Sequence, residues 1–156
     1  MAEHESEPTF RATMIYQDDR AALEWLEKAF GFEVSLIVTD ETGAIGHAEM
    51  RFGNGIVMVA HQWAPEMKSP KTAGGGTNTQ FQHVHLDTDV DAHCARARSA
   101  GARIVQEPTD QFYGARTYRC LDHEGHLWVF AQTRKVLSFA EMEAATGGKL
   151  KLRTHL

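Results

Sequence analysis

The sequence predicts an α+β fold in which one structural module occurs twice. A strand with alternating apolar and polar residues, an amphipathic helix and three further strand-like segments follow one another in the first half. The same order returns about 70 residues later, which indicates an internal repeat. With 156 residues, 42% of them hydrophobic, the chain suits one domain and is too short for two ordinary ones. We therefore predict a single domain, 1–156, divided into module one (9–63), a linker (64–80), module two (81–132) and a C-terminal tail (133–156).

Module one is predicted to begin with a strand over 10–16. Asp18 and Asp19 can cap the helix that follows, and within it apolar residues recur at i, i+3 and i+7 from Leu23. Gly31 is suited to end that helix, because glycine adopts the left-handed conformation of a helix C-terminus without strain. Glycine-containing turns then separate three predicted strands at 32–38, 44–52 and 56–61.

Module two repeats this order after the linker. A strand over 81–86 precedes a helix that opens within 87–91 and ends at Gly101. The linker contains glycines at 74–76 without the Lys-Ser/Thr of a phosphate-binding loop, and we interpret it as a flexible connector. Ser138 can cap a short helix in the tail, over 138–145. The remaining strands of module two are predicted at 103–106, 113–121 and 126–132.

Composition and charge exclude some classes of function. The formal net charge of −5 argues against non-specific nucleic-acid binding, which requires a basic surface. No segment approaches the ~20 apolar residues of a membrane span, and the acidic start MAEHESEP lacks the regions of a signal peptide. Cys94 and Cys120 lie far apart without the spacing of a zinc site, so we expect packed, free thiols and a cytoplasmic protein.

Two segments carry a resemblance to a known superfamily: TDVDAHCARARSAGARIVQEP (88–108) and YGARTYRCLDHEGHLWVF (113–130). Together with the doubled βαβββ order, they resemble the vicinal oxygen chelate superfamily of glyoxalase I, bleomycin- and fosfomycin-resistance proteins and extradiol dioxygenases. The chain looks most like the small glyoxalase/bleomycin-resistance-like bacterial proteins. The resemblance implies that the modules form curved mixed sheets around a cavity for a small molecule. It also implies that chains commonly pair, so we expect a homodimer.

The resemblance implies four metal-ligand positions as well, one on each of four strands. In this sequence they fall on Arg11, Glu49, Gln82 and Val129, and only Glu49 is able to ligate a metal. Arginine is permanently cationic and has no lone pair to donate, whereas a catalytic metal requires about three protein ligands. A shift of one residue, from Gln82 to His83, would still leave only two ligands. We therefore expect no cofactor, the alternative being a divalent metal held by Glu49 with His47, His83 or His126.

The strand over 44–52 carries a polar face formed by His47, Glu49 and Arg51. In an ordinary half-buried sheet such a face meets water, and this interpretation stays open. In the superfamily the face turns towards the cavity, where Arg11 and Glu49 would pair and orient a polar ligand. His47 would then serve as a base near neutral pH, which makes His47 and Glu49 candidate catalytic residues.

Further candidates lie at strand ends and in loops, where pockets open. His61, Trp63 and Tyr113 are suited to stack on a planar ligand. Arg116 either clamps an anionic group or lies on the surface. The predicted ligand-binding residues are Arg11, His47, Glu49, His61, Trp63, Gln82, Tyr113 and Arg116.

The turn between the last two strands receives a structural interpretation. We expect Asp122, His123 and Glu124 to be turn residues, with Asp122 starting the turn through its own backbone. His126 is expected to hold the hairpin in place.

Two pairs of residues on the predicted strands are assigned in the same way. Trp128 and Phe130 are expected in the core. His83 and His85 share one face of a strand, and we expect them to pack or hydrogen-bond under the second helix, the alternative being a metal-binding pair.

The sequence therefore predicts a protein that binds a small organic molecule in a cavity between the modules, without the superfamily's usual metal site. The alternative is a metal-dependent lyase, isomerase or dioxygenase with a displaced metal site at Glu49 and nearby histidines. A third hypothesis is metal-free acid–base catalysis by His47 and Glu49.

Overall fold

The computed structural model describes residues 7–156, so most of the acidic start on which the signal-peptide prediction rests lies outside the described residues. The described chain forms eight strands and four helices. Their bounds in chain order are β1 Ala12–Tyr16, α1 Asp19–Phe30, β2 Glu33–Thr39, β3 Ile45–Phe52, β4 Gly55–His61, α2 Pro70–Ala73, β5 Gln82–His85, α3 Val90–Ser99, β6 Arg103–Asp110, β7 Ala115–Leu121, β8 Leu127–Thr133 and α4 Phe139–Ala145.

The strands form two four-stranded sheets with the same internal order, β1-β4-β3-β2 and β5-β8-β7-β6. In each sheet the first strand of the module pairs in parallel with the last, and the other pairs are antiparallel. The predicted α+β fold of two βαβββ modules is therefore confirmed. Across residues 7–156 no strand pairing joins the two sheets, which do not close around a cavity.

Helix α1 begins and ends where the sequence predicts. The Asp18 side chain accepts a hydrogen bond from the Ala21 N–H at 2.9 Å, and Gly31 ends the helix at φ 76°. Asp89 caps α3 in the same way, through the Ala92 N–H at 2.9 Å. The cap lies inside the predicted opening segment, although α3 ends two residues before the predicted glycine.

The two modules share one hydrophobic core. The ring of Phe30, on α1, lies 5.3 Å from that of Trp128 and 4.7 Å from that of Phe130, both on β8. All three side chains are fully buried, which confirms the core assignment of the two β8 residues. Burying each such side chain contributes about 1.5–3 kcal/mol. Because α1 and α3 also pack against each other, each sheet turns one face towards this core and the opposite face away from it.

Module two holds helix α1 at both ends. The Glu124 carboxylate accepts hydrogen bonds from the backbone N–H of Gln17 at 2.7 Å and of Asp18 at 3.2 Å, before the first turn. The Arg96 guanidinium donates to the carbonyls of Glu27 and Lys28, both at 2.8 Å, in the last turn. An anion at the N-terminal end and a cation at the C-terminal end match the helix dipole. These contacts therefore fix the position of one module on the other.

The turn 122–126 is the centre of this contact. Asp122 Oδ1 accepts from the N–H of Glu124 and of His126, both at 3.0 Å, which confirms that Asp122 organises the turn. Its Oδ2 accepts from the Tyr16 hydroxyl at 2.7 Å and from the Trp128 indole at 3.0 Å. His126 Nε2 donates to the Ile15 carbonyl at 2.7 Å. The turn therefore forms the predicted hairpin and also joins the modules.

Two segments differ from expectation, and the predicted helix of the tail is confirmed. The linker, predicted to be a flexible connector, contains α2 and the buried Ser69, whose hydroxyl donates to Glu124 at 2.6 Å. Strand β6 extends four residues past its predicted end, because it is an edge strand with an irregular register around Pro108, where a missing N–H is tolerated. The predicted α4 has a capping box formed by Ser138 and Glu141. Among residues 7–156, no helix is long and apolar enough to cross a membrane.

Candidate functional site

The first sheet turns a polar patch away from the core. Side chains on β3 alternate, so that Ala48 and Met50 are buried while His47 and Glu49 point to the opposite face. Strand register places Glu49 beside Met58, on β4, and Met58 beside Thr13, on β1. We call this face the first open face; it carries Arg11, Thr13, Leu36, Val38, His47, Glu49, Arg51 and Met58.

Arg11, His47 and Glu49 form a hydrogen-bonded cluster on this face. His47 Nε2 donates to Glu49 Oε1 at 2.8 Å, and Arg11 Nη1 donates to the same oxygen at 3.3 Å. The Glu49 side chain is only 15% exposed, against 25% for Arg11 and 41% for His47. Arg11 is also paired with the exposed Glu7 at 2.8 Å. The sequence-predicted trio is thus together in the structure, with Glu49 at its centre.

The donor pattern leaves His47 with a defined chemical role. Because a carboxylate oxygen can only accept, Nε2 must carry the hydrogen that His47 shares with Glu49. In the neutral ring Nδ1 is then the proton acceptor. This arrangement can accept a hydrogen bond or a proton from a ligand, while the Arg11 guanidinium can donate to an acceptor.

Apolar side chains that flank the cluster are half-exposed in the described part of the chain. Leu36 lies beside Glu49 and Val38 beside His47, in the register of β2 with β3. Leu36 is 43% exposed and Val38 48% exposed, and both lie on β2, at the edge of the sheet. The first open face therefore combines a small polar cluster with half-exposed apolar side chains beside it.

The residues at the four family positions do not fit the superfamily's metal site. The Glu49 oxygen nearest His47 already accepts from a permanent cation, Arg11, and Val129 has no donor atom. Over the described part of the chain, no three His, Cys, Asp or Glu side chains are grouped closely enough to hold a metal ion. A catalytic metal requires about three protein ligands, so the first open face supplies too few of them.

The second sheet also turns one face away from the core, which we call the second outer face; it carries His83, Arg119 and Val129 in one row, and of these His83 and Arg119 are exposed and Val129 is buried. Val129 lies on this second sheet, whereas Arg11 directly precedes β1 of the first sheet, so the two side chains do not share a sheet face within the chain. His83 and His85 were expected under the second helix and this was wrong, because strand parity turns both away from α3 and both are exposed. His85 lies 3.3 Å from Asp87.

Three other predicted residues lie apart from the cluster. Gln82 shares a face with the buried Trp128 and lines a polar pocket of about 150 Å³ between β1 and the end of the linker. His61 lies at the end of β4, with Nδ1 3.7 Å from Asp19. Trp63 is 64% exposed just after that strand.

Tyr113 and Arg116 lie at the far end of module two. The Tyr113 ring contacts that of Phe112 edge-on, at 5.2 Å, in the β6–β7 loop. Arg116 is bound by two carboxylates, Asp91 at 2.8 Å and Asp110 at 3.1 Å. Hydrogen bonding to Arg116 lowers the pKa of Asp91. The guanidinium is thus engaged by the protein rather than aimed at the first open face.

Sequence reasoning missed two groups. His93, inside α3, accepts from the Tyr118 hydroxyl at Nδ1 (2.7 Å) and donates to the Phe30 carbonyl from Nε2 (3.0 Å). Burial lowers the pKa of His93. Arg134 and Lys135, directly after β8, line a pocket of about 580 Å³ with the β6–β7 loop. The adjacent basic residues at a strand end were the available signal for that pocket.

Comparisons of the amino-acid sequence with protein families and with known proteins agree with the fold described above. A family model described as "Glyoxalase/Bleomycin resistance protein/Dioxygenase superfamily" matches residues 10–130. The uncharacterized protein Mb0911c of Mycobacterium bovis is 32% identical over 143 residues, which cover 89% of this chain and 92% of that protein.

Solved structures agree with it as well. The crystal structure of TioX from Micromonospora sp. ML1 shows 39% sequence identity and a TM-score of 0.63, covering 80% of this chain and 98% of TioX. A glyoxalase/bleomycin resistance protein/dioxygenase family enzyme from Burkholderia phytofirmans PsJN has a TM-score of 0.58 at 18% identity, covering 79% of this chain and 96% of that one. The likeness to the latter concerns the fold alone.

Proposed function

Because this chain belongs to the glyoxalase/bleomycin resistance protein/dioxygenase superfamily, we propose that it binds a small organic molecule on its first open face, without the superfamily's usual metal site. One observation carries the proposal: Arg11, Glu49 and His47 form a connected polar cluster beside half-exposed apolar side chains on one sheet face. Pockets for small ligands combine apolar walls with a few placed polar groups.

The chemistry of the face suggests the kind of ligand. Met58 and Leu36 flank Glu49 and offer apolar contact to a planar or aliphatic body. Arg11 offers donors to an acidic or carbonyl group, and Nδ1 of His47 offers an acceptor to a hydroxyl or amide. A molecule with a hydrophobic body and one polar end matches both parts.

A second copy of the chain would complete the cavity. Strand β2 is an edge strand along which all seven residues are exposed, Val34, Leu36, Ile37 and Val38 among them. Such edges tend to pair or to be covered. In a homodimer the second outer face of one protomer, which carries His83 and Arg119, would cover the first open face of its partner. Light scattering at micromolar concentration is expected to give twice the 17.4 kDa mass of the chain, and a monomer would contradict this part of the proposal.

The two thiols support a reducing compartment, the cytoplasm. Cys94 and Cys120 are both buried and unpaired, and burial raises the pKa of Cys120 to about 12. Thiols of this kind react slowly and serve packing.

The test combines metal analysis with ligand binding. Untagged, dialysed protein is expected to contain no stoichiometric Zn, Ni, Mn or Fe and to gain thermal stability from a member of a panel of aromatic and polar-headed small molecules. Arg11→Gln should reduce that gain, whereas Arg98→Gln, which changes a surface arginine paired with Glu107, should leave it unchanged. Equal responses of the two variants would refute a site at Arg11.

One observation favours a second candidate, a metal-dependent lyase, isomerase or dioxygenase with a displaced site. His47 and Glu49 are adjacent imidazole and carboxylate donors, 2.8 Å apart. If the pair binds a metal together with a partner's side chain, Glu49→Gln should lower the bound metal content. Turnover that persists in a chelator and is lost in His47→Ala would instead indicate metal-free acid–base catalysis.

A further inference from the structure

The C-terminal tail folds back to form a pocket at the far end of module two. The pocket has a volume of about 580 Å³ and lies between the β6–β7 loop, the end of β8 and α4. This volume falls within the usual ~300–1,000 Å³ of small-molecule sites. It shares no lining residue with the first open face. The apolar residues that line the pocket are Phe112, Gly114, Ala115, Leu137 and Ala145.

The pocket wall is fixed by a close backbone approach at Gly114. The Gly114 carbonyl accepts hydrogen bonds from the N–H of Arg134 at 2.8 Å and of Lys135 at 3.0 Å. Gly114 has φ 89°, and a Cβ placed there would lie 2.2 Å from the Lys135 carbonyl oxygen. Only glycine allows this approach, which holds the loop and the tail together before any ligand binds.

The basic side chains that line the pocket differ in how closely carboxylates pair with them. Arg116 is engaged by Asp91 and Asp110, as described above. Arg134 reaches Asp91 through one contact of 3.4 Å and is 42% exposed. Within residues 7–156, no ion pair is formed by Lys135. Arg134 and Lys135 are therefore the less compensated cations of a pocket that is also lined by Asp110, Gln111 and Arg116 and by several apolar side chains.

We propose that this pocket is a second ligand site, distinct from the first open face, which takes small carboxylates with an aromatic or alkyl body. The body would contact Phe112 and Leu137, and the carboxylate would bind Arg134 and Lys135. Tyr113, packed edge-on against Phe112, lies in the same loop at the rim.

The test uses 2-naphthoate and its neutral analogue 2-naphthylmethanol on the full-length chain. Naphthoate is expected to bind about tenfold more tightly, since each exposed ion pair contributes a factor of roughly two to five. Changes in ¹H–¹⁵N NMR spectra on adding naphthoate should centre on the amides of Gly114, Leu137 and Ala145. Changes centred on Glu49 and Met58 instead would overturn the second site and leave the proposed function intact.

Matched variants separate charge from shape. Arg134→Gln combined with Lys135→Gln should reduce the tenfold preference to about onefold to twofold, whereas Lys149→Gln should not change it. Ala145→Trp should fill the pocket and abolish binding of both compounds, whereas Ala144→Trp, on the exposed neighbouring residue, should not. Circular dichroism checks that the variants are folded. Equal affinity for the two compounds, or undiminished binding by a folded Ala145→Trp variant, refutes the proposal.

Discussion

Glu124→Gln tests whether a buried carboxylate in the second module holds the two modules together. Glu124 is 3% exposed and accepts hydrogen bonds from the Gln17 and Asp18 N–H groups and from the Ser69 hydroxyl. Glutamine keeps the size of the side chain but replaces one acceptor oxygen by an NH₂ donor, which would face other donors. The substitution therefore removes hydrogen bonds without creating a cavity.

The expected loss of unfolding free energy is large for a substitution that changes one atom of the side chain. A hydrogen bond to a charged group contributes about 1.5–3 kcal/mol, so the loss of one or two gives a destabilisation of about 2–4 kcal/mol. The total stability of a domain is about 5–15 kcal/mol. With an m-value of about 2 kcal/mol/M, the middle of the usual range, the urea midpoint should fall by about 1–2 M.

The assay is urea unfolding followed by circular dichroism, with Glu107→Gln as the matched control. The control makes the same substitution at an exposed glutamate: Glu107 pairs with Arg98, and its side chain is 66% exposed. The control should lose only a small fraction of the stability lost by Glu124→Gln. If the two midpoints fall equally, the contact between Glu124 and the start of α1 does not hold the modules together.

Three further substitutions have measurable consequences. Burial lowers the pKa of His93 below its ordinary value of 6.5. As the pH falls below 6.5, the unfolded chain therefore binds a proton at this histidine before the folded chain does. The free energy of unfolding is full above pH 6.5 and decreases as the pH falls towards the lowered pKa. His93→Gln should therefore reduce the slope of unfolding free energy against pH between pH 7 and 5. Gly114→Ala places a Cβ against the Lys135 carbonyl at positive φ and should cost about 2–4 kcal/mol in urea unfolding. Arg96→Met removes two hydrogen bonds from the end of α1 and should lower Tm by a few degrees, about 1 kcal/mol.

Each of these substitutions has a control in the same chain. His155→Gln changes an exposed histidine and should leave the pH slope unaltered. Gly43→Ala imposes positive φ without any atom within 4 Å of the new Cβ, so it isolates backbone strain from the clash at Gly114. Arg153→Met changes an exposed arginine in the tail and should not alter Tm. If a control shifts as far as its partner, the stated contact is not the cause.

Local rules in the sequence were sufficient to predict the modules. Asp18, Asp89 and Ser138 cap their helices because each side chain accepts a hydrogen bond from the N–H three residues further along the chain. Strand parity predicted that His47 and Glu49 share a face, since side chains alternate strictly along a strand, and the superfamily resemblance added Arg11 to them. Short-range geometry of this kind is encoded by neighbouring residues.

Parity also explains the one-residue uncertainty at β5. Gln82 and His83 are adjacent and point to opposite faces, so the sequence had to choose between them without a fixed register. The pairing of β5 with β8 fixes the register: Gln82 lies beside the core residue Trp128, and His83 lies beside Val129 on the opposite face.

By itself the sequence determined the doubled βαβββ order, the helix caps and the shared face of His47 and Glu49 on β3. Tertiary structure alone decided that Glu124 and Arg96 hold α1 from the other module, across separations of 106 and 69 residues, and that Lys135 meets the β6–β7 loop at a pocket. Contacts over such distances depend on the combined packing of all elements, so no local pattern specifies them. Local hydrogen bonds and side-chain alternation, in contrast, are fixed within a few residues of the chain.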